Sequence, residues 1–153
     1  MKEQQVAELE VDLCLNTEWD EFWSYVGGKK NQRWTWYFID KKTGIIIAWE
    51  NGKRKDSVLK KLLKRVEKLP IKNVYTDAWM SYGKLFPERF IHHIGKDETW
   101  KIERKNLNFR THLKRLQRRT ICFSKDEQIH DNIISMYIEK YYYKSGTFSL
   151  AVA

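Results

Sequence analysis

The order of strand-like and helix-like patterns along the chain restricts its fold more than any other feature. Three segments with the alternation or the β-branched and aromatic content of strands come first, at residues 11–19, 33–39 and 45–49. A turn with a glycine at 41–44 joins the second segment to the third, and the three predict an antiparallel meander. Helix and strand patterns then alternate, beginning with a helix from Asp56 and a strand at 73–76. We therefore predict an α/β fold: a mixed five-stranded sheet with three antiparallel strands, then parallel crossovers, and helices on both faces.

Length and composition agree with one globular domain. The 153 residues are 42% hydrophobic and the longest apolar runs have the length of a strand, which indicates neither disorder nor a membrane span. Residues 1–10 are polar and residues 144–153 lack periodicity, so we expect a flexible leader, a folded domain at 11–143 and a disordered tail.

The net charge of +9 favours an anionic partner, most often nucleic acid. Cys14 and Cys122 make no metal-binding spacing and no secretory signal opens the chain, so we expect a cytoplasmic protein.

Three acidic residues stand where the predicted fold brings chain segments together. Asp20 lies near the end of the first strand, Asp77 follows the fourth strand, and Glu103 lies near the start of a later helix. Because the fourth strand runs beside the first and parallel to it, Asp20 and Asp77 should be neighbours. Carboxylates so close repel each other, so the cluster predicts two bound divalent ions, Mg²⁺ or its substitute Mn²⁺. The alternative is that each residue has only a structural role: Asp20 ends a strand, Asp77 caps a helix, and the helix dipole stabilises Glu103 in a first turn.

Residues 99–119 form the most basic part of the chain, with eight Lys or Arg residues and a single acid, Glu103. An apolar stripe predicts that the whole segment is a helix packed on a core: Ile102, Phe109, Leu113 and Leu116. Glu103, Arg110 and Lys114 share the strip beside this stripe, with Glu103 and Arg110 about 10 Å apart. Such a helix could offer a ligand to a metal and then bind a phosphate. A solvated basic helix with an incidental glutamate is the alternative.

Four segments closely resemble the transposases of the insertion sequence 1 family: EWDEFWSYVG, TDAWMSY, HHIGKDETWKIERKNLNFRTHLKRL and FSKDEQIHD, which begin at residues 18, 76, 92 and 123. These enzymes have a ribonuclease H-like fold and a DDE triad of two aspartates and a glutamate. The resemblance implies that residues 11–143 are a DDE catalytic domain. It also implies that Asp20, Asp77 and Glu103 are the catalytic triad and the metal ligands, and that Arg110 is the catalytic basic residue two helical turns after the glutamate.

The resemblance and the basic helix together indicate a set of residues that contact DNA: His93, Lys96, Arg104, Asn106, Arg110, Lys114, Arg115 and Arg118. His93 and Lys96 precede the basic helix, where the family shows a similar His and Lys. A surface loop is the alternative for this pair.

The function that the resemblance implies is divalent-metal-dependent DNA cleavage and strand transfer, in which a freed 3′ hydroxyl attacks target DNA. The implied partners are transposon ends, target DNA and further copies of the chain in an oligomeric complex. Full-length members carry an upstream DNA-binding region, which we expect an upstream reading frame to supply here. Two other interpretations stay open: a truncated or domesticated DNA-binding regulator, and a stand-alone ribonuclease H-like nuclease. In each case we expect a bacterial or archaeal protein of the nucleoid, without a membrane partner.

Overall fold

A mixed five-stranded sheet forms the centre of the computed structural model, which describes residues 15–77, 80–117 and 119–141. The strands are β1 Asn16–Tyr25, β2 Gln32–Asp40, β3 Ile46–Gly52, β4 Asn73–Thr76 and β5 Ile91–Ile94. The helices are α1 Asp56–Arg65, α2 Met80–Leu85, α3 Trp100–His112 and α4 Glu127–Tyr141.

The strands lie in the order β3-β2-β1-β4-β5. Strand β2 pairs antiparallel with β1 and with β3, whereas β4 pairs parallel with β1 and with β5. Parallel neighbours cannot be joined by a hairpin, so α1 and α2 lie in the connections that lead into β4 and β5. This topology confirms the predicted fold class.

Apolar side chains fill both faces of the sheet because successive strand residues point to opposite sides. Trp19 lies in a core that includes residues of α1 and stacks on Phe38, with ring centroids 4.2 Å apart. Phe22 lies in a second core with residues of α3 and α4, and its ring is 4.7 Å from that of Phe109. Each large side chain buried in this way contributes about 1.5–3 kcal/mol. Asp20 lies two residues before Phe22 on β1, so its side chain points to the same face of the sheet, towards α3.

Two predicted elements have different ends in the structure. Strand β1 begins at Asn16 and continues through Asp20 to Tyr25, because β2 pairs with it from Thr17 onward over its remaining length. Asp20 thus lies within the strand rather than near its end. The basic helix was predicted over 99–119, but α3 ends at His112, where Leu113 takes an extended backbone with ψ of 101°. A separate 3₁₀ turn, Lys114–Leu116, follows and still buries Leu116.

No helix in the described part of the chain is both long enough and apolar enough to cross a membrane. The predicted leader at 1–10 and the tail at 144–153 lie outside the described residues, as do residues 11–14 of the predicted first strand. The domain boundaries therefore stay predictions.

Candidate active site

Three elements hold the carboxylate of Asp20. Its Oδ1 accepts a hydrogen bond of 2.8 Å from the backbone N–H of Glu21, and its Oδ2 accepts one from Nδ2 of Asn106 on α3. The Oδ1 of Asn106 in turn accepts a bond of 2.6 Å from the hydroxyl of Tyr37, which is the cross-strand partner of Asp20 on β2. The contacts from β1, β2 and α3 therefore fix one orientation of this carboxylate.

Asp77 follows β4 at the level of Asp20. The parallel register pairs Glu18 with Tyr75, and two further residues along each strand bring Asp20 and Asp77 to corresponding positions. The pKa of Asp20 is raised to about 7, first by burial, then by the charge of Glu21, with a further contribution from the charge of Asp77. The fold thus brings these two carboxylates into electrostatic contact, as the sequence predicts.

Glu103 lies in the first turn of α3, three residues before Asn106, and its side chain is exposed. The hydroxyl of Thr99 lies 3.5 Å from its Oε1. Arg110 is half-buried two turns further along the same side of the helix. Among the described residues, no three His, Cys, Asp or Glu side chains lie close enough together to hold a metal ion. The structure therefore brings Asp20 and Asp77 together and leaves Glu103 on the adjoining helix.

The chemistry of the Asp20 and Asp77 pair fits a divalent cation. Both side chains offer the oxygen donors that Mg²⁺ and Mn²⁺ prefer. The raised pKa of Asp20 shows that its negative charge is disfavoured by burial and by neighbouring carboxylates. A cation at this position would offset both costs.

Sequence reasoning missed a buried carboxylate that fixes the start of α3. Glu18 is fully buried on β1, and its Oε2 accepts a hydrogen bond of 2.9 Å from the backbone N–H of Ile102. Its Oε1 lies 3.8 Å from the ammonium group of Lys41. Burial raises the pKa of Glu18 against the opposing effects of the Ile102 N–H and of Lys41. The sequence does contain a signal for Glu18: it lies two positions before Asp20, so the two side chains point to the same face of β1.

A second buried carboxylate, Glu21, lies on the opposite face of β1. Its Oε2 accepts a hydrogen bond of 2.6 Å from the buried Tyr82 hydroxyl, and its Oε1 accepts bonds of 2.7 and 3.1 Å from Arg54. Burial is the main reason that the pKa of Glu21 is raised. This network ties β1 to α2 directly behind Asp20.

Three of the residues predicted to contact DNA are exposed: Lys96, Arg104 and Lys114. Because α3 ends at His112, Lys114 belongs to the 3₁₀ turn and does not share a helical strip with Glu103 and Arg110. Arg118 lies outside the described residues.

Three other predicted DNA contacts are held within the protein. Asn106 binds Asp20 and Tyr37, as described above, rather than pointing to solvent. Arg115 is half-buried, and its Nη1 donates a hydrogen bond of 3.3 Å to Ser124. His93 is half-buried, its ring stacks on Tyr75 with centroids 4.6 Å apart, and its Nε2 lies 3.0 Å from the Asn73 side-chain oxygen.

Comparison with known sequences identifies relatives over most of the chain. The family model described as IS1 transposase matches residues 13–144. The insertion element iso-IS1n protein InsB of Shigella dysenteriae is 43% identical over 129 residues, which cover 84% of this chain and 98% of that protein. The insertion element IS1 protein InsB of Shigella flexneri is 37% identical over 132 residues, which cover 86% of this chain and 100% of that protein.

The fold is similar to that of a chain in the cryo-EM structure of a simian T-cell lymphotropic virus intasome in complex with PP2A regulatory subunit B56 gamma. The TM-score is 0.51 at 14% sequence identity, and the match covers 91% of this chain and 47% of that one. This likeness concerns the fold and agrees with the ribonuclease H-like topology of the sheet. The match of the family model and the two InsB relatives together show that the chain belongs to the IS1 transposase family and is a DNA transposase catalytic domain.

Proposed function

We propose that the chain cleaves DNA and joins the freed strand to target DNA in a divalent-metal-dependent reaction. The observation that carries this proposal is that Asp20 and Asp77 both lie two residues beyond the last paired positions of β1 and β4, Glu18 and Tyr75, and that burial and the charges of Glu21 and Asp77 raise the pKa of Asp20 to about 7. Perturbed carboxylates of this kind cluster at functional sites.

Asp20, Asp77 and Glu103 are the proposed ligands of two Mg²⁺ ions, for which Mn²⁺ can substitute. When bound, such ions activate the attacking oxygen and stabilise the leaving oxygen of a phosphodiester. Asn106 orients Asp20 by donating to its Oδ2, while the Tyr37 hydroxyl fixes the Asn106 amide. In this arrangement Asn106 is a positioning residue.

Arg110 and the exposed basic residues are proposed to bind the DNA backbone. Arg110 lies two turns from Glu103 on the same side of α3, a spacing that suits a phosphate beside the cleaved bond. Lys96, Arg104 and Lys114 are exposed cations that can neutralise phosphates, and the net charge of +9 favours a polyanion in general. For His93, Arg115 and Arg118 a DNA contact stays a prediction.

The proposed partners are transposon ends, target DNA and further copies of the chain. An upstream DNA-binding region is the expected source of specificity for the ends, and the expected location is the nucleoid of the cytoplasm.

Calorimetric titration of Mg²⁺ and Mn²⁺ tests the proposed metal site. Asp77→Asn keeps the shape of the side chain and removes its charge, so ion binding and the accompanying thermal stabilisation should be lost. Asp97→Asn, at an exposed position of the 3₁₀ turn 96–98, is the matched control and should bind as the wild type does. Equal binding by the Asp77→Asn protein would show that the proposed site is wrong.

A further inference from the structure

A basic pocket lies on the side of α3 that faces away from the candidate active site. It is a cavity of about 270 Å³ between α3 and the turn that joins β2 to β3. At about 100° per residue, Lys101, Lys105 and Asn108 point roughly 150° away from Asn106 and Arg110 around the helix axis. A strand of DNA bound beside Asp20 therefore leaves this pocket open.

The lining of the pocket is strongly positive. Four of its eight lining residues are cations: Lys42, Lys101, Arg104 and Lys105. Among the described residues that line it, none is acidic. Convergent cations without a neutralising carboxylate form a site for an anion.

The turn that forms one wall is held in place by its own hydrogen bonds. The buried carboxylate of Asp40 accepts bonds of 2.7 Å from both the backbone N–H and the hydroxyl of Thr43, and the N–H of Gly44 donates to the Asp40 carbonyl. Gly44 has a φ of +73°, which L side chains rarely adopt. Nζ of Lys101 donates to the carbonyl of Lys41, which ties the turn to α3. The pocket is thus formed before any ligand arrives.

The opposite wall combines a cation with an aromatic surface. Lys105 is half-buried, and its Cε and Nζ lie 3.7 Å from the position that a Cβ on Gly44 would take. The absence of a side chain at Gly44 therefore leaves room beside this ammonium group. Trp100 is 53% exposed at the edge of the pocket, and Nζ of Lys101 lies 5.5 Å from the centroid of its ring. An aromatic face beside several cations is typical of sites for nucleotides rather than for free phosphate.

We propose that this pocket binds a backbone phosphate of a second DNA segment, with the adjoining sugar against Trp100. Anion binding follows from the pocket alone, whereas the choice of DNA as the source of the phosphate rests on the proposed function. The segment is distinct from the strand at Asp20, because the two sites lie on different sides of α3.

Nuclear magnetic resonance of the ¹⁵N-labelled protein tests this proposal. A short duplex oligonucleotide should shift the amide signals of residues 42–44 and the indole signal of Trp100 saturably, and Trp100→Phe identifies that indole signal. Asn108→Asp places a negative charge in the pocket lining without a change of shape, and it should weaken the binding seen at these signals about tenfold. Asn132→Asp adds the same charge at an exposed position on α4 and should leave the binding unchanged. The same signals should still shift in the Asp77→Asn protein, since Asp77 does not line the pocket.

Three outcomes would overturn the inference. The first is that the signals of the pocket do not move with duplex DNA. The second is that Asn108→Asp and Asn132→Asp bind alike. The third is that inorganic phosphate shifts the pocket signals and the duplex neither shifts them nor competes.

Cleavage assays on the same proteins separate this inference from the proposed function. Pocket signals that shift with DNA in a wild-type protein without cleavage activity would support the pocket and contradict the proposed function. Full cleavage activity without any shift of the pocket signals would support the proposed function and contradict the pocket.

Discussion

The side chain of Asn106 connects α3 to the strand that carries Asp20. One end of its amide donates to the Asp20 carboxylate and the other accepts from Tyr37. Glu103 lies only one turn away on the same helix. The position of a proposed metal ligand and the orientation of Asp20 therefore depend on the same helix.

Asn106→Ala removes both of these hydrogen bonds, so the Asp20 carboxylate keeps the bond from the Glu21 N–H but loses its connection to α3. We expect strand cleavage and divalent-ion affinity to fall about 10- to 100-fold, as for other residues that orient a metal ligand. The ion affinity is measured by calorimetry, and it distinguishes positioning from a general loss of stability. Asn132→Ala, at an exposed position, should change neither quantity. Wild-type ion affinity in the Asn106→Ala protein would contradict the positioning role.

On the other face of β1, the hydroxyl of Tyr82 is a main donor to the buried Glu21 carboxylate. Tyr82→Phe keeps the ring and leaves Glu21 Oε2 without this donor, so the free energy of unfolding should fall by about 1–3 kcal/mol. Urea denaturation measures the change. Tyr141→Phe removes the hydroxyl of a ring that is 61% exposed and should have little effect. A loss for Tyr82→Phe no larger than that of the control would show that the bond contributes little.

At the scale of elements, both helices of the α3 face are fixed by buried polar side chains of β1. Glu18 receives the N–H of Ile102 at the start of α3, where a negative charge is favoured by the helix dipole. His130 of α4 is fully buried between two hydroxyls, with Nε2 2.7 Å from Ser24 Oγ and Nδ1 2.7 Å from Ser124 Oγ. These contacts define where α3 and α4 lie on the sheet.

The burial of His130 predicts that this group makes a destabilising contribution to the fold in acid, opposite in sign to that of the buried carboxylates Glu18, Asp20 and Glu21, whose pKa values are raised. Burial is the main cause that lowers the pKa of His130 below 6.5; nearby charges act in both directions, with Arg115 and Arg33 lowering it and Asp131 and Glu127 raising it. Just below pH 6.5, the imidazole of His130 is therefore protonated in the unfolded chain and still neutral in the folded chain. The free energy of unfolding should fall as the pH drops from about 6.5 towards the folded pKa, by at most about 1.4 kcal/mol per pH unit from this group.

Urea denaturation between about pH 7 and 5 measures this slope. His130→Gln cannot take up the proton, so its slope should be smaller than that of the wild type in this range. His112→Gln is the control, because His112 is an exposed histidine at the end of α3, although its Nδ1 contacts the Tyr137 hydroxyl. Identical slopes for the wild type and the His130→Gln protein would contradict the role given to His130.

The order of elements could be predicted from the sequence because it depends on local periodicity. The neighbouring positions of Asp20 and Asp77 followed from that order, since a parallel crossover places β4 beside β1. The end of α3 could not be predicted, because the apolar stripe continues to Leu116 although the helical backbone stops before Leu113. The apolar pattern indicates which residues are buried, but it does not indicate the backbone conformation of the segment.

Buried polar networks were the other part that the sequence could not supply. The side chains of Glu18, Glu21 and Asn106 have hydrogen-bond partners that are at least 33 residues distant along the chain, so no local pattern marks their pairing. At the start of α4, Asp126 Oδ1, and not Ser124, accepts the N–H of Ile129. The Ser124 hydroxyl contacts His130 instead.

In the whole molecule, the carboxylate pair Asp20 and Asp77 and the basic pocket lie on different sides of helix α3. The Asp20 side of α3 faces the proposed cleavage site, and the opposite side lines the basic pocket. DNA binding should therefore depend strongly on salt, because phosphate contacts release counterions.

Arg104→Gln with Lys114→Gln removes two exposed cations near this helix. The slope of log binding constant against log salt should become shallower by about two units, as expected for the loss of two phosphate contacts. Fluorescence anisotropy with a labelled duplex at several salt concentrations measures the slope. Lys60→Gln with Lys61→Gln removes the same charge from α1 and should leave the slope nearly unchanged. A slope that changes only in the α1 control would place the DNA on the other face of the sheet.

The central claim is that Asp20, Asp77 and Glu103 act together in DNA cleavage and strand transfer. Glu103 tests this claim most sharply because, within the part of the chain that the structure describes, it is not gathered with the other two carboxylates. Glu103→Gln preserves the shape of α3 and removes one proposed ligand charge. Glu98→Gln is the matched control, since Glu98 is an exposed glutamate close by in the chain.

The deciding measurement is an oligonucleotide strand-transfer assay in Mg²⁺ with the upstream DNA-binding region supplied, run beside DNA-binding measurements on the same proteins. The account predicts that Glu103→Gln lowers strand transfer by orders of magnitude while DNA binding persists, because loss of a ligand charge impairs a two-ion site. It also predicts that Glu98→Gln transfers strands as the wild type does. Undiminished strand transfer by the Glu103→Gln protein would contradict the triad, and a wild type that binds DNA without transferring strands would favour a regulatory protein.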